Sequence, residues 1–153
     1  MKYVILFSIS LLTLSCSNAQ KPIKESVPKN VKDAFAKKYP SAKVKEWEIE
    51  EDGYEAEFKM NKVEMSANFS NDGVFQEEEQ EIKISELPIA VLEYCTKTFN
   101  GFKMSEAAKI TDAAGTVKFE AEITKGKEHF DAIFSANGTF ESKGASFSEE
   151  EED

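Results

Sequence analysis

The sequence predicts an α+β protein built from two tandem repeats, each a helix packed on a roughly four-stranded antiparallel sheet. Three observations lead to this fold class. One stretch of the chain recurs about sixty residues later, each copy opens with an amphipathic helical pattern, and strict alternation of apolar and polar residues follows it. The chain has 153 residues, of which 41% are hydrophobic and twelve are Phe, so the repeats contain enough apolar side chains to form packed cores.

The duplication is visible as matched positions along the chain. The matched segments are 27–28 with 87–88, 54–58 with 119–123, and 69–75 with 134–140. An insertion of about five residues near 111–115 explains why the offset grows between the first and the later matches. Apolar, acidic and turn positions stay in step throughout, so we assign residues 23–84 to repeat 1 and residues 85–147 to repeat 2.

Each repeat is predicted to begin with a helix. Pro28 and Pro88 are typical of the first turn of a helix, while Pro40 ends the first helix and Asn100-Gly101 ends the second. The spacing of the apolar side chains predicts one buried stripe on each helix. The stripes are Val31, Ala34, Phe35 and Tyr39 in the first helix, and Val91, Tyr94, Cys95 and Phe99 in the second.

The strands that follow have an apolar and an acidic side. Residues 54–60 alternate strictly, and a two-residue turn at 61–62 predicts that Phe58 lies opposite Met65 and Lys59 opposite Glu64. A turn at 126–127 gives the second copy the same hairpin. Residues 43–50 form a first strand of ambiguous register, so Trp47 is placed equally well in the core or on an open surface. The acidic run 77–79 suits an exposed or edge strand.

Both chain termini carry distinctive segments. Residues 1–19 have the positive start and short apolar run of a signal peptide, and two processing routes fit them: cleavage after Ala19, or a lipoprotein signal that ends before a lipid-modified Cys16. We therefore expect a protein exported to the periplasm or cell envelope, lipid-anchored in the second route. Residues 148–153 are predicted to be a disordered acidic tail.

The net charge of −10 limits the classes of partner. Nucleic acid and anionic lipid headgroups both attract basic proteins, so we expect no nucleic-acid ligand and no membrane contact except through a lipid anchor. A basic protein or peptide would fit the charge. No phosphate-binding Gly loop, paired-Cys metal site or catalytic constellation is present, so we expect no cofactor and no enzymatic activity.

The motifs at these positions resemble a known family. A Val-Pro or Leu-Pro helix start, a Tyr-Pro or Phe-Asn helix end, an aromatic-Glu-Ala-Glu strand and a Phe-Ser-x-Asp/Asn-Gly-x-Phe hairpin are similar to those of the PepSY-like family, also called β-lactamase-inhibitor-like. The resemblance covers about residues 27–144, as two copies. It implies a tandem similar to the β-lactamase inhibitory protein, whose open sheet face grips an enzyme. No shared motif identifies inhibitory residues in this chain.

We expect the acidic sheet face to stand in solvent and to bind a protein or peptide, in a monomeric, non-enzymatic module. The candidate contacts are Glu55, Glu57, Glu64, Glu120, Glu122, His129 and Asp131. An alternative is Ca²⁺ binding or sensing at Glu122 and Asp131, which the predicted register places opposite each other. A solvated face with no ion is the simpler interpretation of the same pattern. Cys95 aligns with Phe35, which favours an inert core thiol over a nucleophile.

Overall fold

The computed structural model describes residues 27–50, 52–144 and 146–148. The predicted signal peptide with Cys16, and the predicted tail after residue 148, lie outside the described residues. The elements are α1 (Lys29–Lys38), β1 (Val44–Glu50), β2 (Gly53–Met60), β3 (Val63–Ser70), β4 (Phe75–Glu81), a 3-10 turn (Ile84–Glu86), α2 (Ile89–Thr98), β5 (Lys103–Asp112), β6 (Val117–Lys125), β7 (Glu128–Ser135), β8 (Phe140–Lys143) and β9 (Phe147–Ser148). The α+β class, with two α-helices and antiparallel strands, is thereby confirmed.

The described chain divides into two compact units, with the boundary between Glu78 and Glu79 inside β4. The N-terminal unit holds α1, β1–β3 and the first part of β4, and the C-terminal unit holds the end of β4, α2 and β5–β9. No helix of the described residues is long and apolar enough to cross a membrane.

Both helices begin directly after a proline, because the ring fixes φ near its helical value and the missing N–H is not needed in the first turn. Pro28 and Pro88 occupy the position before the first helical residue, and each helix is ten residues long. The first helix ends at Lys38 and its last turn is closed by a hydrogen bond from the Tyr39 backbone N–H to the Phe35 carbonyl. The helix boundaries predicted from the prolines therefore agree with the structure.

The central hairpins have the predicted register. Phe58 pairs with Met65 and Lys59 with Glu64 across β2 and β3, and the Lys59 ammonium bonds the Glu64 carboxylate. Positive φ angles of 53° and 70° at Asn61 and Lys62 form the tight turn. In the second copy β6 and β7 pair in the same way.

Each unit has its own aromatic core between its helix and its strands. In the N-terminal unit Phe35 of α1 makes edge contacts with Trp47, Phe58 and Phe69, at centroid distances between 5.1 and 6.3 Å. Trp47 is therefore a core residue. In the C-terminal unit the buried set includes Cys95, Ile123, Phe130 and Phe134. Phe58 and its counterpart Ile123 both point inward, as predicted.

The copies differ where the sequence carries its insertion. β5 has ten residues where β1 has seven, and the added turn is held by Asp112, whose carboxylate accepts hydrogen bonds from the backbone N–H groups of Ala114 and Thr116 at 2.8 Å. At the C-terminal end, Ser148 pairs with Glu128 in β9. Residue 148, predicted to begin the disordered tail, thus belongs to a strand, because its backbone completes a pairing with β7.

Candidate functional site

The sheet face opposite each helix is less open than its alternating pattern predicted. Glu55 and Glu120 are each only 4% exposed and Asp131 is 9% exposed, so the expectation that these three carboxyls stand in solvent is wrong. The reason is that β2, β6 and β7, which carry these residues, are each flanked by strands on both sides. Glu55 lies between Glu48 and Asn68 in the register, and the neighbouring side chains shield it.

In the N-terminal unit three carboxylates converge on this face. One carboxylate oxygen from each of Glu48, Glu50 and Glu55 lies within 4.8 Å of the corresponding oxygens of the other two. Burial raises the pKa of Glu55 to about 7, and the nearby carboxylates Glu50 and Glu48 raise it further. The pKa of Glu48 is raised by burial and then by the negative charge of Glu57 and Glu50, and burial raises that of Glu50. The arrangement therefore concentrates negative charge that water solvates only in part.

Hydrogen bonding leaves this charge incompletely stabilised. The Oε1 atom of Glu55 is buried and has no hydrogen-bond partner, and the same holds for the buried hydroxyl of Ser66. The Ser66 hydroxyl lies close enough to offset part of the rise in the Glu55 pKa, although its geometry falls outside that of a well-formed hydrogen bond. A buried carboxylate oxygen without a donor is costly, because nothing replaces the water it lost.

The other two candidate contacts of this unit carry lysine partners. The Lys45 ammonium lies 3.2 Å from a carboxylate oxygen of Glu57, and Lys59 pairs with Glu64. Glu64 is exposed and Glu57 is half-buried. Both remain within reach of a partner, which would have to compete with the internal lysines.

In the C-terminal unit the predicted opposition of Glu122 and Asp131 is confirmed, and Glu106 on β5 faces Glu122 from the other side. Burial, and then the charge of Glu122, raise the pKa of Asp131 to about 6, while His129 lowers it in part. Burial and the Glu122 charge also raise the pKa of Glu106. The hydroxyl of Ser105 donates a hydrogen bond to Glu122 over 2.6 Å.

Glu120 lies against the carboxyl of Glu79, a contact that the sequence did not predict. Glu79, predicted to be on an exposed or edge strand, is only 5% exposed and shares a hydrogen bond with Glu120. Burial first, and then the charges of Glu79 and Asp131, raise the pKa of Glu120 well above its ordinary value. A hydrogen bond between two carboxyls needs one proton, so this pair retains a proton at a pH where isolated carboxyls have lost it.

Four acidic residues of these clusters were not among the sequence candidates: Glu48, Glu50, Glu79 and Glu106. Glu106 follows from register, because it stands on the strand next to Glu122, whereas the ambiguous register of the first strand hid Glu48 and Glu50. Glu79 lies on β4, where the acidic run predicted an exposed or edge strand. Within the part of the chain that the structure describes, no third acidic, histidine or cysteine side chain completes a close group with the predicted cation pair Glu122 and Asp131. Among the described residues, three carboxylates gather so tightly only at Glu48, Glu50 and Glu55.

The structure also places the two other reactive side chains, Cys95 and His129. Cys95 is buried, and burial raises its thiol pKa to about 11, which disfavours the nucleophilic thiolate. His129 is half-buried and faces Thr124 across the hairpin. Cys95 therefore has the core role that the sequence favoured, and His129 lies on the second hairpin as a half-buried side chain.

The chain matches the model of a known protein family. A family model described as "Putative beta-lactamase-inhibitor-like, PepSY-like" matches residues 15–77 and again residues 54–142. Among curated proteins, none gives a significant match to the chain.

Several crystal structures share the fold at low identity. A DUF2874 family protein from Bacteroides uniformis is 20% identical with a TM-score of 0.66, and the match covers 76% of this chain and 87% of that one. A "putative periplasmic" protein from Bacteroides eggerthii is 19% identical with a TM-score of 0.67, over 76% and 87%. A BLIP-like protein from Bacteroides fragilis is 22% identical with a TM-score of 0.61, over 82% and 90%. The two family matches and this shared fold show that the chain belongs to the PepSY-like, β-lactamase-inhibitor-like family.

Proposed function

We propose that this chain is an exported, non-enzymatic binding module that engages a basic segment of a protein or peptide through the acidic sheet face opposite α2. The observation that carries the proposal is the crowding of Glu106, Glu122 and Asp131 on adjacent strands of that face, where the charge of Glu122 raises the pKa of both Glu106 and Asp131. Like charges on adjacent strands destabilise a sheet. Perturbed carboxyls clustered in this way are more frequent at functional sites than elsewhere.

A partner would contact the accessible members of the set rather than all seven sequence candidates. Glu57, Glu64, Glu122 and His129 are half-buried or exposed, whereas Glu55, Glu120 and Asp131 are buried. On the face opposite α2 we therefore assign direct contact to Glu122 and His129, and assign to the buried Glu120 and Asp131 the negative potential that attracts a Lys or Arg side chain. Within the described residues no salt bridge forms to Glu122, so this carboxylate is the most available of them.

Export and the absence of enzymatic chemistry are supported at the family level. The solved structures that share the fold include a protein described as "putative periplasmic" and one described as BLIP-like. The signal-peptide pattern of residues 1–19 agrees with an envelope location.

The test is affinity capture from an envelope extract with three forms of the protein. Glu122→Lys is expected to lose the partner that the wild type retains, because the reversed charge repels a basic surface. Glu93→Lys makes the same change of charge at an exposed position on α2 and should retain it. Capture should weaken as ionic strength rises, since salt screens the attraction. Equal recovery by Glu122→Lys and Glu93→Lys, both folded by circular dichroism, would exclude this face.

A further inference from the structure

We propose a divalent-cation site, suited to Ca²⁺, formed by Glu48, Glu50 and Glu55 on the first repeat. This inference is independent of the protein-binding function, because it rests on a different cluster in the other unit. It also differs from the Glu122–Asp131 pair predicted from the sequence.

The distances between the carboxylates fit one ion. Ca²⁺ binds carboxylate oxygens at about 2.4 Å, so two oxygens bound to the same ion lie at most about 4.8 Å apart. One oxygen from each of the three glutamates satisfies this limit for every pair. Calcium tolerates irregular geometry, whereas Mg²⁺ requires near-ideal octahedral ligands at about 2.1 Å. Three side chains from two strands suit the larger ion.

A second observation points to a ligand. Glu55 is 4% exposed, and its Oε1 atom is buried without any hydrogen-bond partner. A buried carboxylate oxygen is normally satisfied by a donor or a cation. Glu48 and Glu50, by contrast, are half-buried, so an ion can reach the group from solvent.

The backbone leaves space for the three side chains to meet. Glu48 pairs with Glu55, and Glu50 pairs with Gly53, so these four residues form a square on one face of β1 and β2. Gly53 contributes no side chain to that square. A Cβ atom there would lie 2.0 Å from the Phe69 carbonyl oxygen, so the position accepts only glycine.

The second repeat shows what the same square looks like without these ligands. There Ala108 pairs with Glu120 and Ile110 pairs with Lys118. Two of the three carboxylates are thus replaced by apolar side chains, and a lysine stands in place of the glycine. The buried Glu120 therefore stands in this square without two neighbouring glutamates that could share an ion with it.

The experiment is isothermal titration of Ca²⁺ into the EDTA-treated, dialysed full-length protein, with melting temperature as a second readout. We expect one Ca²⁺ per chain, with Kd on the order of 10⁻⁴–10⁻³ M as in other extracellular calcium modules, and weaker binding of Mg²⁺. Glu55→Gln and, separately, Glu50→Gln should lower the affinity at least about tenfold and abolish the calcium-dependent rise in melting temperature. Glu93→Gln, at an exposed position on α2, should bind as the wild type does.

Two results would overturn the proposal: no heat and no melting shift at 10 mM Ca²⁺ (roughly ten times the upper expected Kd), or unchanged binding by Glu55→Gln. Glu50→Gln distinguishes loss of the calcium site from loss of the fold. Glu50 is half-buried, so its substitution disturbs the core less than the substitution of the buried Glu55 does. Loss of calcium binding with intact partner capture, or the reverse, distinguishes this site from the protein-binding face.

Discussion

At the scale of single residues, the main finding is that three carboxyls of the acidic face lie out of solvent. Alternation along a strand correctly identified which side chains share the face of Glu55, Glu120 and Asp131, but it carries no information on what covers that face. Coverage depends on the neighbouring strands, and the register of β1 was ambiguous from the sequence. The pairing of Glu122 with Asp131, in contrast, followed from one short turn and was correct.

The raised pKa of Glu55 makes stability depend on pH. The pKa is about 7 in the folded protein and near 4.5 when the group is unperturbed, so the folded state keeps a proton that the unfolded chain loses. The resulting stability is fully present below pH 4.5 and is lost as the pH rises through 7. In EDTA, Glu55→Gln should exceed the wild type in stability at pH 8 by on the order of 2–3 kcal/mol. That difference should shrink towards pH 5.

Urea denaturation at both pH values measures this effect. Glu93→Gln, at an exposed position, should follow the wild type at each pH. A Glu55→Gln advantage that persists undiminished at pH 5 would mean that ionisation of Glu55 is not the cause. The wild type should still gain stability on acidification through Asp131, whose pKa is about 6.

At the scale of elements, each repeat docks a hairpin turn on the first turn of its helix. A Cβ at Gly73 would lie 2.9 Å from the Asn30 carbonyl oxygen, and a Cβ at Gly138 would lie 2.7 Å from the Cβ of Ala90. The matching turn motifs predicted both hairpins from sequence. They did not predict this packing, because a turn signal describes only local backbone geometry.

The contact between Gly138 and α2 allows the cost of overpacking to be measured separately from the cost of backbone strain. Gly138 has φ of 84° and Gly126 has φ of 62°, but only Gly138 has neighbours within 4 Å of an added Cβ. Gly126→Ala should cost about 1 kcal/mol from the left-handed backbone alone. Gly138→Ala should cost about 2–4 kcal/mol, because it adds overpacking against Ala90 and Val91. Equal losses of unfolding free energy in the two variants, measured by chemical denaturation, would contradict this prediction. They would show that the hairpin can move away from α2 without cost.

At the scale of the whole molecule, the repeats have kept one fold while their polar faces have diverged. The core positions correspond closely, so internal similarity predicted the helices, the hairpins and the inward side chains of both copies. The acidic groups correspond less well: a square of three glutamates and one glycine in the first copy became alanine, isoleucine, glutamate and lysine in the second. Repeat matching therefore predicts architecture better than it predicts a binding site.

The net charge of −10 yields a prediction for the molecule as a whole. Repulsion among partly exposed carboxylates destabilises the folded state, and salt screens it, with a Debye length that falls from about 30 Å at 0.01 M to about 10 Å at 0.1 M. The melting temperature in EDTA should therefore rise by several degrees between 0.01 and 0.3 M NaCl. Glu122→Lys removes two units of negative charge from a crowded face, so its rise should be smaller than that of Glu93→Lys. A melting temperature that falls with salt would show that the lysine pairs, such as Lys45 with Glu57, outweigh the repulsion between carboxylates.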